Sequence, residues 1–300
     1  MPCHEPPAIV VHGGAGDLAP DDASSGVLGP RLDGVRRACA AGLEILRRGG
    51  SALDAVEAAV RLLEDDPLFN AGTGATLTAA GDVELDASVM DGETLRCGAV
   101  AVVKDVRNPV SLARAVMERT EHVLLAGQGA SAFAREAGFP VHENALLVTP
   151  RQRARWEAAR RSAPASKTGT VGAAARDLRG HLAAATSTGG TSMKLPGRVG
   201  DTPLLGCGTY ADDALAAVSC TGHGERIVQL TLARHAADLV GRGLSAPDAA
   251  REAVALLGSR VRGDGGLVVV GPRGEPGLAY NTKAMSRAWT AADGTVFAAI

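Results

Sequence analysis

Apolar residues follow two patterns along this chain. Short, nearly unbroken runs at residues 8–11, 99–103, 171–175, 182–187, 214–219 and 267–270 predict buried strands. Residues 31–48, 52–64, 110–117, 125–137, 227–240 and 247–257 space apolar side chains three and four apart and predict helices. Ser51 stands where the second helix needs its N-terminal cap. The first run leads straight into His12-Gly13-Gly14, which predicts a strand entering a tight glycine loop. Residues 150–167 break both patterns. Arg151, Arg153, Arg155, Arg160, Arg161 and Lys167 surround few apolar residues, and Ala163-Pro164-Ala165-Ser166 lies among them, so this stretch reads as a solvated helix and mobile linker rather than a basic recognition patch.

Strands packed between layers of helices make an α+β protein, and one large domain or two small ones fit the length of 300 residues. Pattern alone leaves a four-layer sandwich and a doubly wound sheet both open. Hydrophobic residues make up 46% of the chain but aromatics only 3%, so the core has to be built from Ala, Val and Leu with many glycines. A formal charge of −2 gives no footprint for nucleic acid or an anionic membrane, which favours small-molecule chemistry. Cys3, Cys39, Cys97, Cys207 and Cys220 are odd in number and lack Cys-x-x-Cys spacing, as expected of reduced, packed thiols. With no signal-like leader and no run of eighteen apolar residues, a cytoplasmic location is expected.

Candidate chemistry concentrates in Gly169-Thr170-Val171-Gly172, Thr186-Ser187-Thr188-Gly189-Gly190 and Pro196-Gly197-Arg198-Val199-Gly200-Asp201. By itself, a threonine at a strand start signals no more than β-propensity. A threonine that becomes the first residue of a chain is different, because its own α-amine, with a free pKa of about 7.7–8.0, can take the hydroxyl proton near neutral pH. Cleavage at Gly169-Thr170 would create that terminus, and glycine tolerates the strained backbone such a step needs. Arg198 and Asp201 can hold the carboxylate and ammonium of an α-amino acid, or else pair with each other in the loop.

Seven ordered blocks carry a resemblance. They are Val11-His12-Gly13-Gly14-Ala15-Gly16, Pro67-Leu68-Phe69-Asn70-Ala71-Gly72, Asp86-Ala87-Ser88-Val89-Met90-Asp91-Gly92, residues 169–172, 185–190 and 195–201, and Ser219-Cys220-Thr221-Gly222-His223-Gly224-Glu225. The chain resembles the plant-type L-asparaginase and isoaspartyl peptidase family of N-terminal-nucleophile hydrolases over almost its whole length. The resemblance implies the αββα four-layer sandwich, with the threonine opening a central strand. It also implies one domain, residues 1–300, that cleaves itself into an α chain, 1–169, and a β chain, 170–300, after a linker at about 150–169, with two of each assembled as a dimer of αβ units.

Carried over residue by residue, the resemblance makes Thr170 the nucleophile and Thr188 the hydroxyl that supports it; as a simpler alternative, Thr188 serves the turn before Gly189-Gly190. Thr221 and Gly222 form the oxyanion hole, Arg198 binds the substrate α-carboxylate, and Asp201 with the Gly224 carbonyl binds its α-amine. Asn70 braces the threonine site. Main-chain carbonyls of Leu63, Glu64, Asp66, Phe69, Ala71 and Thr73 hold a structural sodium ion, with no cofactor for catalysis. The implied reaction is hydrolysis of L-asparagine and of β-aspartyl (isoaspartyl) dipeptides. His223 is not needed as a base, because the α-amine serves.

Two rivals remain open at this level. One is glycosylasparaginase, of the same fold; Lys194-Leu195-Pro196 and the Thr-Gly-His-Gly turn look closer to the asparaginase branch. The other is an uncleaved protein whose glycine loops bind a small amino acid. Gly-x-Gly-x-x-Gly, Gly-x-Ser-x-Gly and His-Glu-x-x-His are all absent, against nucleotide, serine-elbow and zinc-protease chemistry. Thr191-Ser192-Met193 before Lys194, and Gly169 where many relatives carry Asp, depart from the usual pattern and bear on leaving-group preference and on cleavage rate.

Overall fold

The computed structural model describes residues 5–16, 26–161 and 169–300. Among them, the chain folds in order through β1 (Ala8–Gly16), α1 (Leu28–Arg47), α2 (Ala52–Asp65), β2 (Leu85–Asp91), β3 (Cys97–Val103), α3 (Pro109–Arg119), β4 (Leu124–Ala126), α4 (Gly127–Glu136) and α5 (Pro150–Arg161). The second half continues with β5 (Val171–Arg176), β6 (Leu182–Thr188), β7 (Thr209–Ala211), β8 (Ala217–Gly222), α6 (Gly224–Leu230), α7 (Leu232–Gly241), α8 (Ala246–Val261), β9 (Gly265–Val270), β10 (Pro276–Tyr280), β11 (Ala284–Thr290) and β12 (Val296–Ala299).

Two sheets stack face to face. The larger runs β12-β11-β1-β5-β6-β2-β3-β4 and the smaller β10-β9-β8-β7. Strands β1, β5 and β6 pack on β8 and β9, while α1, α2 and α3 cover the large sheet and α7 and α8 the small one. This is the four-layer αββα sandwich of the N-terminal-nucleophile hydrolase type, and the doubly wound alternative is set aside. Ile9, Val11, Ala173 and Ala175 face the first helical layer, whereas Val10, Ala174 and Ala184 face the second sheet. Both faces of a central strand are therefore dry, which is why these strands read as unbroken apolar runs. Small residues at Ala173, Ala174, Ala175, Ala183, Ala184 and Ala185 let the layers approach closely, as the scarcity of aromatics requires.

Several local readings hold. Ser51 Oγ accepts from Asp54 N at 3.1 Å and caps α2. Cys39, Cys97, Cys207 and Cys220 are free thiols, and burial pushes Cys39 up to about 12. No helix among the described residues is long and apolar enough to cross a membrane.

Others are corrected. The expected glycine loop after β1 is a bulge between His12 and Ala15 within one continuous strand. The helix expected over 227–240 is two, broken at Thr231, whose φ of 46° lies in the left-handed region. The one expected over 125–137 begins only at Gly127, because Leu124–Ala126 adds a short parallel strand beside β3. The run at 214–219 begins as a turn, with Leu215 N bonded to Asp212 O, before β8 starts at Ala217. The solvated helix expected at 150–161 is docked: Gln152 Nε2 donates to Gly74 O and Trp156 Nε1 to Thr78 O, both at 2.8 Å. Ala163-Pro164-Ala165-Ser166 and Lys167, like Cys3 and His4, lie outside the described residues.

Candidate active site

The register places Thr170. Strand β5 pairs with β6 so that Val171 opposes Ser187, which brings Thr170, one residue earlier, alongside Thr188. Its Oγ1 donates to Thr188 Oγ1 at 3.1 Å. Thr188 Oγ1 also accepts from Gly190 N at 2.9 Å, so it serves the turn and supports Thr170 at once. From the second sheet, Thr221 Oγ1 accepts from Thr170 N and from Ala15 N, both at 3.2 Å. Three threonines from β6, β8 and the entry to β5 thus converge in a pocket where each is at most 6% exposed.

Glycines make that convergence possible. A Cβ on Gly172 would lie 2.0 Å from Ser219 Oγ. Gly222, at a φ of +139°, would meet Asp264 O at 2.4 Å, so the turn after Thr221 admits no side chain there. A Cβ on Gly169 would sit 2.3 Å from Gly14 Cα, so the residue before Thr170 lies backbone to backbone against the bulge of β1.

The sequence offered no role for His12. Its Nδ1 lies 3.0 Å from Thr170 O, a pure acceptor, so that nitrogen carries the proton, and Nε2 accepts from Ser219 Oγ at 2.9 Å. Burial lowers its pKa to about 3, keeping it neutral and fixing the backbone at Thr170. Ser219 connects onward through Thr186 and Thr209 to Ser88, whose hydroxyl lies 2.6 Å from Thr202 O. This polar seam joins the two sheets and could not be found from local pattern, since His12 and Ser219 are 207 residues apart.

Asn70 braces the site indirectly: Nδ2 donates to Gly190 O at 2.7 Å and Oδ1 accepts from Thr76 N at 2.8 Å, locking the Thr188-Gly189-Gly190 turn. The loop leading to Arg198 is held by Glu84, whose carboxylate accepts from Gly197 N at 2.8 Å and whose carbonyl accepts from Lys194 Nζ at 3.0 Å. Burial lowers the pKa of Lys194 and raises that of Asp86 beside it. Neither Glu84 nor Lys194 had been singled out as a positioning group.

Arg198 and Asp201 come together with Gly224. A Cβ on Gly224 would be 2.8 Å from both Arg198 Nη2 and Asp201 Oδ1, so the bare glycine forms the floor of a slot with a cation on one side and a carboxyl on the other. The intra-loop alternative is not seen: among the described residues no ion pair joins Arg198 to Asp201, and Arg198 Nε instead donates to Glu225 at 2.9 Å. Asp201 Oδ2 is buried without a hydrogen-bond partner among the described residues, and burial pushes its carboxyl up to about 7 against the pull of Arg198. Gly224→Ala should fill the slot. The expected result is a KM raised by about 10²-fold together with the roughly 1–3 kcal/mol of stability that an overpacked methyl costs; an unchanged KM would place the head group elsewhere.

In the loop expected to hold sodium, carbonyl oxygens pack against two glycines. A Cβ on Gly72 would meet Glu64 O at 2.4 Å, and one on Gly74 would meet Phe69 O at 2.1 Å and Pro67 O at 2.7 Å. Asp66 O and Ala71 O each also accept a loop N–H, from Phe69 and Gly74. His223 Nε2 lies 3.6 Å from Glu225 Oε2.

Comparison with known proteins agrees with the geometry. The sequence model of the family described as asparaginase matches residues 5–299. The isoaspartyl peptidase/L-asparaginase of Bos taurus is 46% identical over 98% of this chain and 96% of its own length. That of Homo sapiens is 46% identical over 95% and 93%. The plant-type L-asparaginase of Pyrococcus abyssi is 45% identical over 94% and 95%. With the fold, the threonine cluster and the Arg198–Gly224–Asp201 slot in place, these matches establish that the chain belongs to the asparaginase family, in its plant-type and isoaspartyl peptidase branch.

Proposed function

We propose that this protein is a self-processed amidohydrolase that converts L-asparagine to L-aspartate and ammonia and cleaves β-aspartyl dipeptides. The observation that carries the reading is the meeting of Thr170, Thr188 and Thr221 beside a slot shaped for an α-amino acid head group. In processing, Thr170 Oγ attacks the Gly169 carbonyl carbon, the acyl group shifts from nitrogen to oxygen, and water hydrolyses the ester. That leaves a Gly169 carboxylate and a free amine on Thr170.

In turnover, this amine takes the Thr170 hydroxyl proton as Oγ attacks the side-chain carbonyl. The Thr221 hydroxyl, which already accepts two N–H groups, has its own proton to give to the oxyanion, with Gly222 N–H beside it. The proton taken up by the Thr170 amine then passes to the departing ammonia or amino acid, and water releases aspartate from the β-aspartyl ester. Because Arg198 and Asp201 read only the aspartyl side, the leaving group is free to vary.

The resemblance further supports two α and two β chains per molecule, a structural sodium ion on the 63–73 carbonyls, and, together with the free thiols, a cytoplasmic setting. The test is release of aspartate from asparagine, a β-aspartyl dipeptide and a glycosylated asparagine by the processed protein. Turnover of the first two supports the reading. Turnover of the glycosylated substrate alone favours the glycosylasparaginase branch, and none at all returns the chain to an amino-acid-binding role.

A further inference from the structure

Glu225 follows directly on the Thr221-Gly222-His223-Gly224 segment and stands in the first turn of α6. Its two oxygens are divided: Oε1 lies 2.9 Å from both Nε and Nη2 of Arg198, and Oε2 lies 3.6 Å from His223 Nε2. A guanidinium presents two usable edges, the Nε side and the terminal pair of Nη groups. Glu225 closes the first. The terminal pair stands over bare glycines, with Nη1 3.3 Å from where a Gly190 Cβ would be and 2.7 Å from that of Gly200, and Nη2 2.8 Å from that of Gly224. That is the edge a substrate carboxylate can take bidentately.

Stability does not explain the pair. The Glu225 side chain is 52% exposed against 15% for Arg198, and ion pairs so open to water contribute little to folding. Direction does. Arg198 sits on a turn after Gly197, at a φ of +84°, and its long side chain has many rotamers to lose on binding. A partner on its Nε edge removes that freedom in advance.

We propose that Glu225 is the positioning residue for Arg198, aiming the guanidinium fork at the substrate α-carboxylate and so restricting the site to substrates in which that carboxylate is free. The inference rests on the amidohydrolase reading for its substrate and deepens it. Because Glu225 belongs to the turn that carries the oxyanion donors, the group that reads the head of the substrate and the group that stabilises the reacting carbonyl are set by one segment of chain.

The test compares Glu225→Ala and Glu225→Gln with the unaltered protein, on asparagine and on its α-carboxamide, with calorimetric binding of L-aspartate in parallel. Glu225→Ala should raise the KM for asparagine and the Kd for L-aspartate about tenfold, the scale of one charge-assisted hydrogen bond, with kcat within about twofold. The α-carboxamide, which has no carboxylate for Arg198, should change by less than about twofold, and Glu225→Gln, which keeps an acceptor for Nε, should recover most of the loss. An unchanged or lowered KM and Kd, or an equal loss on both substrates, overturns the proposal. Should the unaltered protein fail to hydrolyse asparagine, the amidohydrolase reading falls by itself, while the L-aspartate Kd still decides the role of Glu225.

Discussion

Thr170→Ala should run as one 30.4 kDa chain under denaturing conditions, whereas the unaltered protein should separate into residues 1–169 and 170–300. Both effects follow from the same oxygen. Without Oγ nothing attacks the Gly169 carbonyl, so the α-amine that serves as base is never released. Nucleophile and base are lost together, and turnover should fall by at least about 10³-fold, as when a unit of coupled catalytic groups is broken. Misfolding is not the cause to expect. Among the described residues the hydroxyl's hydrogen bond is to Thr188, worth roughly 1 kcal/mol, while His12 still holds the backbone carbonyl at this position. Thr170→Ser, which keeps the hydroxyl, should still separate into two chains. If Thr170→Ala cleaves like the unaltered protein, the nucleophile is misassigned. If the unaltered protein stays whole after prolonged incubation, the site has no base.

The grouping of residues around this threonine was legible because its parts are close in sequence or tied to motifs: Thr188 is 18 residues from Thr170, and Arg198 and Asp201 share a loop. His12 was not, since its partners Thr170 and Ser219 are 158 and 207 residues away and a histidine after an apolar run carries no sign of what it will meet. Glu225 shows a different blindness. Its block was visible, yet only the three-dimensional edge of Arg198 tells positioning from a solvated charge. For the fold, dry central strands such as β5 and β6 announce themselves as apolar runs, but β2 did not, because Asp86 and Ser88 interrupt its run, and the short β4 and β7 escaped the pattern too; β10, β11 and β12 were not anticipated either. Those strands mix exposed and buried positions, as in Trp289, stacked on the half-exposed Phe297, and they lie toward the sheet edges where the apolar pattern weakens. Thr231 breaks a helix with a backbone conformation that periodicity does not encode.

Asp201→Asn should raise the KM for asparagine by about 10²–10³-fold, because a charged, buried partner for the substrate ammonium becomes neutral. The pH dependence gives the sharper form of this expectation. Burial raises the Asp201 carboxyl to about 7 in the empty site, so it binds a proton as pH falls through neutrality and then has no charge to offer. The ammonium of bound substrate favours the carboxylate and holds it ionised. KM, and the Ki of L-aspartate, should therefore rise about tenfold per unit below pH 7, while kcat follows the Thr170 amine instead; in Asp201→Asn the KM should be flat across this range. A KM that stays constant from pH 5.5 to 8.5 in the unaltered protein would sink the assignment.

Folding stability should move the other way. A carboxyl whose folded pKa lies above its unfolded value of about 3.9 stabilises the protein fully below that value and loses this contribution as pH climbs to 7. At pH 8 Asp201→Asn, freed from an unpaired buried charge, should melt no lower than the unaltered protein even as it fails to bind. A site that gives up stability to keep an unpaired carboxylate in the empty state is one built for a cationic substrate head, and loss of affinity without loss of fold is the signature that separates that role from a structural one.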